Sequence, residues 1–230
     1  WAFNAAIVLS TLSWLAAQGL FGLFVQIRDD REAVGRIVSL VLRLLAVGVF
    51  GFSACLASCV RPLISNVFSP LWLPATHSFW LLLIATSSWA LVAPLQYLAI
   101  ADRRVSAVNR WLLVQIGVIW IAGAPAAIYL GPGGFALCFV VANVSFLALA
   151  YRSTALRYPV AIFLDVGSLA VAAIAAAVAG FIVANYLGQS WLSLFSSAGT
   201  SLLAYSSLIL VWRRRQLLTD AHTVFELLRH

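Results

Sequence analysis

The chain has no methionine, and among its 230 residues only seven are acidic, three are histidine and three are cysteine. All fourteen basic residues are arginine; lysine is absent. Each shortage closes off a class of protein. Charged residues make up 9% of the chain, against about 25% in soluble domains, so a soluble globular domain is excluded. A metal-dependent transferase needs clustered carboxylates or imidazoles. Here Asp29, Asp30, Glu32 and Asp102 fall between apolar runs, and Asp220 and Glu226 lie in the C-terminal tail with His222 and His230, which read as solvated. Cys55, Cys59 and Cys138 lie within apolar runs without the neighbouring His, Asp or Glu that a zinc or redox site needs. They read as packing residues. No catalytic residue, metal or cofactor is expected, and the chain does not read as an enzyme. A ligase or polymerase working at the outer face of a membrane would also carry a sizeable loop there, and the sequence has none. Finally, a chain without Met that opens at Trp1 directly inside an apolar segment reads as a piece of a longer protein.

What is present is hydrophobic sequence: 63% of the chain, in runs near twenty residues long. A run of that length spans a bilayer as a helix, because only a helix satisfies its own backbone in lipid. The expected fold is all-α, a polytopic transmembrane helix bundle of about seven spans. They fall at roughly 3–26, 36–60, 76–101, 107–130, 133–151, 159–187 and 190–212. The bundle takes residues 1–215; residues 216–230 form a tail whose Leu217, Leu218, Val224, Phe225, Leu227 and Leu228 allow an amphipathic surface helix. Between the second and third spans lies Cys59–Ala75, with Pro62, Pro70 and Pro74. Proline interrupts a helix, so this stretch reads as a break: a short amphipathic turn at a membrane surface with Trp72 at headgroup depth, or an ordinary loop.

Arginine sets the orientation. Arg28, Arg31, Arg36, Arg103, Arg104, Arg110, Arg152, Arg157, Arg213, Arg214, Arg215 and Arg229 all lie in alternate connections or the tail, whereas the other connections hold only Arg61. The positive-inside rule places the N-terminus outside and the C-terminus in the cytoplasm. The net charge of +7 is accounted for in the same way, without nucleic acid.

Three passages carry a resemblance. Pro62-Leu63-Ile64, Phe68, Trp72 and Pro74-Ala75 resemble a "P-L-I … F-G … W-x-P-A" passage, with Ser69 in place of Gly. Leu98-Ala99-Ile100-Ala101-Asp102-Arg103 resembles an "L-x-A-x-G-R" helix end, with Asp102 in place of Gly. Gly131-Pro132-Gly133-Gly134-Phe135-Ala136 resembles a "G-x-x-G-x-A" helix start. Together, and in order, they resemble the second half of bacterial polysaccharide flippases, within the multidrug/oligosaccharidyl-lipid/polysaccharide exporter superfamily. The resemblance implies a transporter of the bacterial cytoplasmic (inner) membrane. It would move a polyprenyl-pyrophosphate-linked oligosaccharide between leaflets by alternating access, with the missing N-terminal lobe of the same protein as partner. A drug/cation antiporter of the same superfamily and a membrane enzyme of glycan assembly are the alternatives.

A few polar groups lie at membrane depth. Arg43 falls seven residues after Arg36, nearly two helical turns, so the two share a face. An Arg in a span costs at least about 2.5 kcal/mol unless it finds water or a partner. Arg43, with Arg36 and Arg61, is a substrate-path candidate for an anionic carrier, since guanidinium binds phosphate oxygens bidentately; snorkelling to the headgroups is the alternative for Arg43. Asp165 is the one acid inside a span. It either pairs with an Arg or titrates as a coupling-ion site for protons or sodium. Ser193, Ser197, Thr200, Ser201 and Ser207 read as one face of the last span, and Ala170–Ala177 as a small-residue run in the span before it. Both suit close helix packing, or a lipid-tail groove between the two helices. His77, Gln96, Asn109, Gln115 and Asn143 are single polar groups of the kind that neighbouring helices satisfy.

The orientation is directly testable. In a background without native cysteines, Gly133→Cys and Gln189→Cys should react with an impermeant thiol reagent added to intact cells, and Arg104→Cys should not. Labelling at position 104 alone would invert the topology.

Overall fold

A computed structural model describes the backbone of residues 2–159 and 163–229, and their side chains outside residues 2–10, 12, 16, 163–164 and 213–229. Every described element is helical. In order they are α1 (Ala2–Ile27), α2 (Arg31–Val67), a 3-10 helix (Pro70–Ala75), α3 (Thr76–Ala101), α4 (Val105–Ala155), α5 (Phe163–Leu187) and α6 (Trp191–Arg229). Among the described residues, five helices are long and apolar enough to cross a membrane: Arg31–Val67, Pro70–Ala101, Val105–Ala155, Asp165–Leu187 and Trp191–Trp212. This is a multi-pass helical membrane architecture.

At 1.5 Å per residue a straight α4 would be about 76 Å long, more than twice the roughly 30 Å hydrocarbon thickness. It is not straight. Gly131 has φ 66° and ψ −158°, a conformation glycine adopts without the penalty a side chain would bring. The limbs on either side fold back on each other. A Cβ at Gly134 would collide with the Ala126 carbonyl oxygen, and one at Gly123 would lie 3.4 Å from the Phe135 ring. Gln115 Nε2 donates to Asn143 Oδ1 at 3.0 Å, and the Trp111 and Phe146 rings meet edge to face at 6.4 Å. Two of the single polar groups expected to be satisfied by neighbours thus satisfy each other across this hairpin.

α2 joins two groups of helices. It packs on α5 and α6 along one side and on α3 along another, while α3 also packs on α1 and α4. Asp30 caps its start, its Oδ1 accepting from Glu32 N and Ala33 N, each at 3.0 Å. The expected break at Cys59–Ala75 is corrected. α2 runs through Pro62 to Val67, and the chain turns at Phe68 and Ser69. Ser65 Oγ donates to the Arg61 carbonyl at 3.0 Å and Asn66 Nδ2 to the Pro62 carbonyl at 2.8 Å. Those carbonyls are not the one that Pro62 orphans, which is four residues before it. A helix in lipid carries proline where neighbouring helices pack on it, and Pro62 is buried. The surface turn is the 3-10 helix alone, none of whose residues is buried. At the end of α3 the positive φ (55°) falls on Arg103 and not on Asp102. Asp102 is the C-cap residue instead, its N–H bonded to the Leu98 carbonyl.

The three helices α2, α5 and α6 come together tightly at Gly180, where a Cβ would lie 2.6 Å from the Ser197 carbonyl oxygen and 2.7 Å from Ser58 Cβ. Ser193, Ser197 and Ser201 are buried there, but Ser207 is exposed and lies off that face. Small residues let the backbones touch, and at this level the α5–α6 contact is closed rather than grooved. α6 continues unbroken through tail residues 216–229; residues 160–162 of the expected sixth span lie outside the described residues.

A side chain at Gly180 has nowhere to go, since its nearest neighbour is backbone. Gly180→Val should lower stability by about 1–3 kcal/mol, read as a lower thermal unfolding midpoint in detergent. Gly167→Ala, at a glycine with open space around it, should not lower it.

Candidate functional site

Arg43 lies three turns into α2, between buried Leu42 and Ala46. Asp165 lies in the first turn of α5, where a negative charge complements the helix dipole. Packing of α2 on α5 brings them together, with Arg43 NH1 3.9 Å from Asp165 Oδ2 and side chains 20% and 21% exposed. At that distance the contact is a charge–charge one and not a hydrogen bond. Either residue alone at this depth would carry the cost of an ion in lipid; together each offsets the other's charge. The two residues read as separate candidates from sequence, one for an anionic carrier and one for a coupling ion, therefore form one site.

The other two candidates are not part of it. Arg36 is exposed near the start of α2. Arg61 lies eighteen residues beyond Arg43, about 27 Å along the helix. There its guanidinium carbon sits 5.4 Å over the Phe181 ring. Phe181 meets Trp80 edge to face at 5.8 Å, Trp80 meets His77 at 5.5 Å, and Trp80 Nε1 donates to the Ala57 carbonyl at 3.1 Å. Sequence reading missed this ladder because its members come from three helices.

A polar cluster closes the opposite end of the bundle. Arg157 NH1 lies 3.4 Å from Asp102 Oδ2, and Arg104 NH2 donates to Ser153 Oγ at 2.7 Å. Burial, and then the charge of Arg157, hold Arg104 below the usual guanidinium range. Burial, and then the Asp102 carboxylate, push the Tyr158 phenol up. A Cβ at Gly35 would lie 3.0 Å from Pro159, so the start of α2 packs against this same end. The cluster ties the α3–α4 turn to the end of α4.

Among the described residues no three of His, Cys, Asp and Glu come close enough to hold a metal. Cys55, Cys59 and Cys138 are free thiols. No protein-family model matches the chain, and no curated protein or solved structure matches it. Fold and site together define a multi-pass helical bundle with an ion pair between two of its apolar helices.

The pair should behave as a coupled unit. Arg43→Gln or Asp165→Asn alone leaves one charge without its partner and should cost about 1–3 kcal/mol, discounted from the fully buried case for the partial exposure. The double variant should recover much of that loss, measured as thermal unfolding midpoints in the same lipid or detergent. Strict additivity of the two losses would show that the residues do not interact.

Proposed function

We propose that this chain is one helical lobe of a transporter for a polyprenyl-pyrophosphate-linked oligosaccharide in a bacterial cytoplasmic membrane. The observation that carries the reading is the Arg43–Asp165 pair, a guanidinium and a carboxylate 3.9 Å apart between apolar helices. Ionisable residues inside a membrane bundle are by default a functional-site hypothesis, with substrate and ion pathways among the roles they mark. The motif resemblance around Pro62–Ala75, Leu98–Arg103 and Gly131–Ala136 supports the substrate class.

In this reading the chain crosses the membrane seven times. α1 counts as a span, and the hairpin at Gly131 divides α4 into two. The arginine asymmetry puts the N-terminus outside and the tail in the cytoplasm. A pyrophosphate presents more oxygens and more charge than a carboxylate, so it competes with Asp165 for the Arg43 guanidinium. Asp165, once released, is free to take up a proton or a sodium ion. Binding of the carrier and of the coupling ion would thus be linked through one exchange of partners. A second lobe completes the cavity, because alternating access needs two bundles that rock about a shared site. The antiporter alternative requires Asp165 to be open to a cation, and its carboxylate instead faces a guanidinium at 3.9 Å.

Complementation tests the reading. In a strain lacking its flippase, the full-length protein should restore surface polysaccharide. Arg43→Ala should abolish this while leaving the protein in the membrane, and Arg43→Lys should retain part of it, because charge survives without bidentate geometry. Normal export by the Ala variant would remove Arg43 from the substrate path.

A further inference from the structure

Four hydroxyl residues follow one another at intervals of four along α6: Ser193, Ser197, Ser201 and Tyr205. They are 0%, 0%, 0% and 4% exposed. The first two are satisfied. Ser193 Oγ donates to the Ala184 carbonyl at 3.3 Å, and Ser197 Oγ donates to the Leu194 carbonyl at 3.2 Å. The next two are not. Ser201 Oγ and the Tyr205 hydroxyl are buried and have no hydrogen-bond partner among the described residues.

This departs from the habit of the rest of the chain. Ser88, Ser196 and Ser207 each donate back to a carbonyl three or four residues earlier, at 2.9, 2.6 and 2.9 Å. Ser201 does not, although the same carbonyls are within its reach. Tyr205 is seated firmly: its ring lies where a Cβ on Gly51 would come within 2.8 Å, so α2 gives up a side chain to admit it. Side chains on a helix lean toward its N-terminus, which carries the Tyr205 phenol toward the turn that bears Ser201. Two orphaned hydroxyls therefore share one buried stretch of the α2–α5–α6 seam. Alanine and phenylalanine would fill nearly the same space without the cost of an unsatisfied polar group.

We propose that this stretch is a binding site for ordered water, bridging Ser201 and Tyr205. Buried water sits where neutral polar groups lack protein partners. Both groups here are neutral hydroxyls, each able to donate and accept. A divalent cation would call for carboxylates, and Asp165 is not at this level. The contacts of Ala184 with Ser193 and of Gly180 with Ser197 fix the pairing of α5 and α6. That register sets Tyr205 opposite residues near 172, about two turns from Asp165. The site is a hydrated step in the apolar seam between Ser197 and the ion pair, and it rests on burial and packing alone, whatever the protein transports.

Water-edited solid-state NMR of the protein in deuterated lipid tests it. Magnetisation from water should reach the Tyr205 ring several times faster than the ring of Phe146, which is equally buried but has no hydroxyl. Equal build-up at the two rings would overturn the proposal. A second measurement does not depend on spectra. If water bridges the two groups, Tyr205→Phe and Ser201→Ala should each lower the unfolding midpoint, and the double variant should fall by less than the two shifts combined. A rise in midpoint for Tyr205→Phe would mean a dry, unsatisfied hydroxyl and would also overturn it. Replacing sodium chloride with choline chloride should leave the wild-type midpoint unchanged; a sodium-dependent shift abolished by Ser201→Ala would assign the site to the cation instead.

Discussion

The contact between the Arg43 guanidinium and the Asp165 carboxylate is the constraint from which the meeting of α2 and α5 follows. Most of the helix faces could repack against other apolar faces with little penalty, since lipid and side chain are equally apolar. A charge cannot. Once Arg43 lies between apolar turns of α2, it needs water or a partner at its level, and the first turn of α5 supplies a partner. The pair selects how α2 and α5 meet. Close approach at Gly180 and at Gly51 then fixes where α6 lies against both. Shape complementarity and one electrostatic constraint together pick a single arrangement from many that hydrophobicity would allow.

The bundle consequently has two parts of different character. α1, α3 and α4 are held by large apolar and aromatic side chains, with Trp111 and Phe146 across the α4 hairpin and Phe21 against Tyr97. α2, α5 and α6 are held by glycine, alanine and serine, with an ion pair toward one end and the Arg61–Phe181–Trp80 ladder toward the other. The two parts share the α2–α3 contact, where Ser53 Oγ lies 2.8 Å from Ser87 Oγ. In the proposed function the second part is the working one: its helices bear the charge, and its small-residue surfaces carry few interlocking side chains that would resist sliding.

Much of the fold could be read from residue type and period, because in lipid a long apolar run has one structural solution. α3 begins and ends where its apolar run does, and Gly131-Pro132 marks the bend in α4. What escaped reading was set by contacts between helices. Pro62 looks like a helix breaker in isolation, but α2 passes through it. Arg43 and Asp165 were each conspicuous, yet 122 positions separate them, and nothing local says that their helices touch. Ser207 reads as sharing a face with Ser193, Ser197 and Ser201, but its position turns it outward. Tyr205 reads as packing, like any aromatic in a span; its place four residues after Ser201 is the signal that sets it apart.

The most direct test of the central claim is a distance measurement in the bilayer. Rotational-echo solid-state NMR between the Arg43 guanidinium nitrogens and the Asp165 carboxylate carbon, with Arg43→Gln to assign the signal, reports the pair without reference to stability or activity. The account predicts a clear dipolar contact in empty protein and its loss when polyprenyl pyrophosphate is added. No contact in the empty protein, or a contact that persists unchanged with the carrier bound, would contradict it.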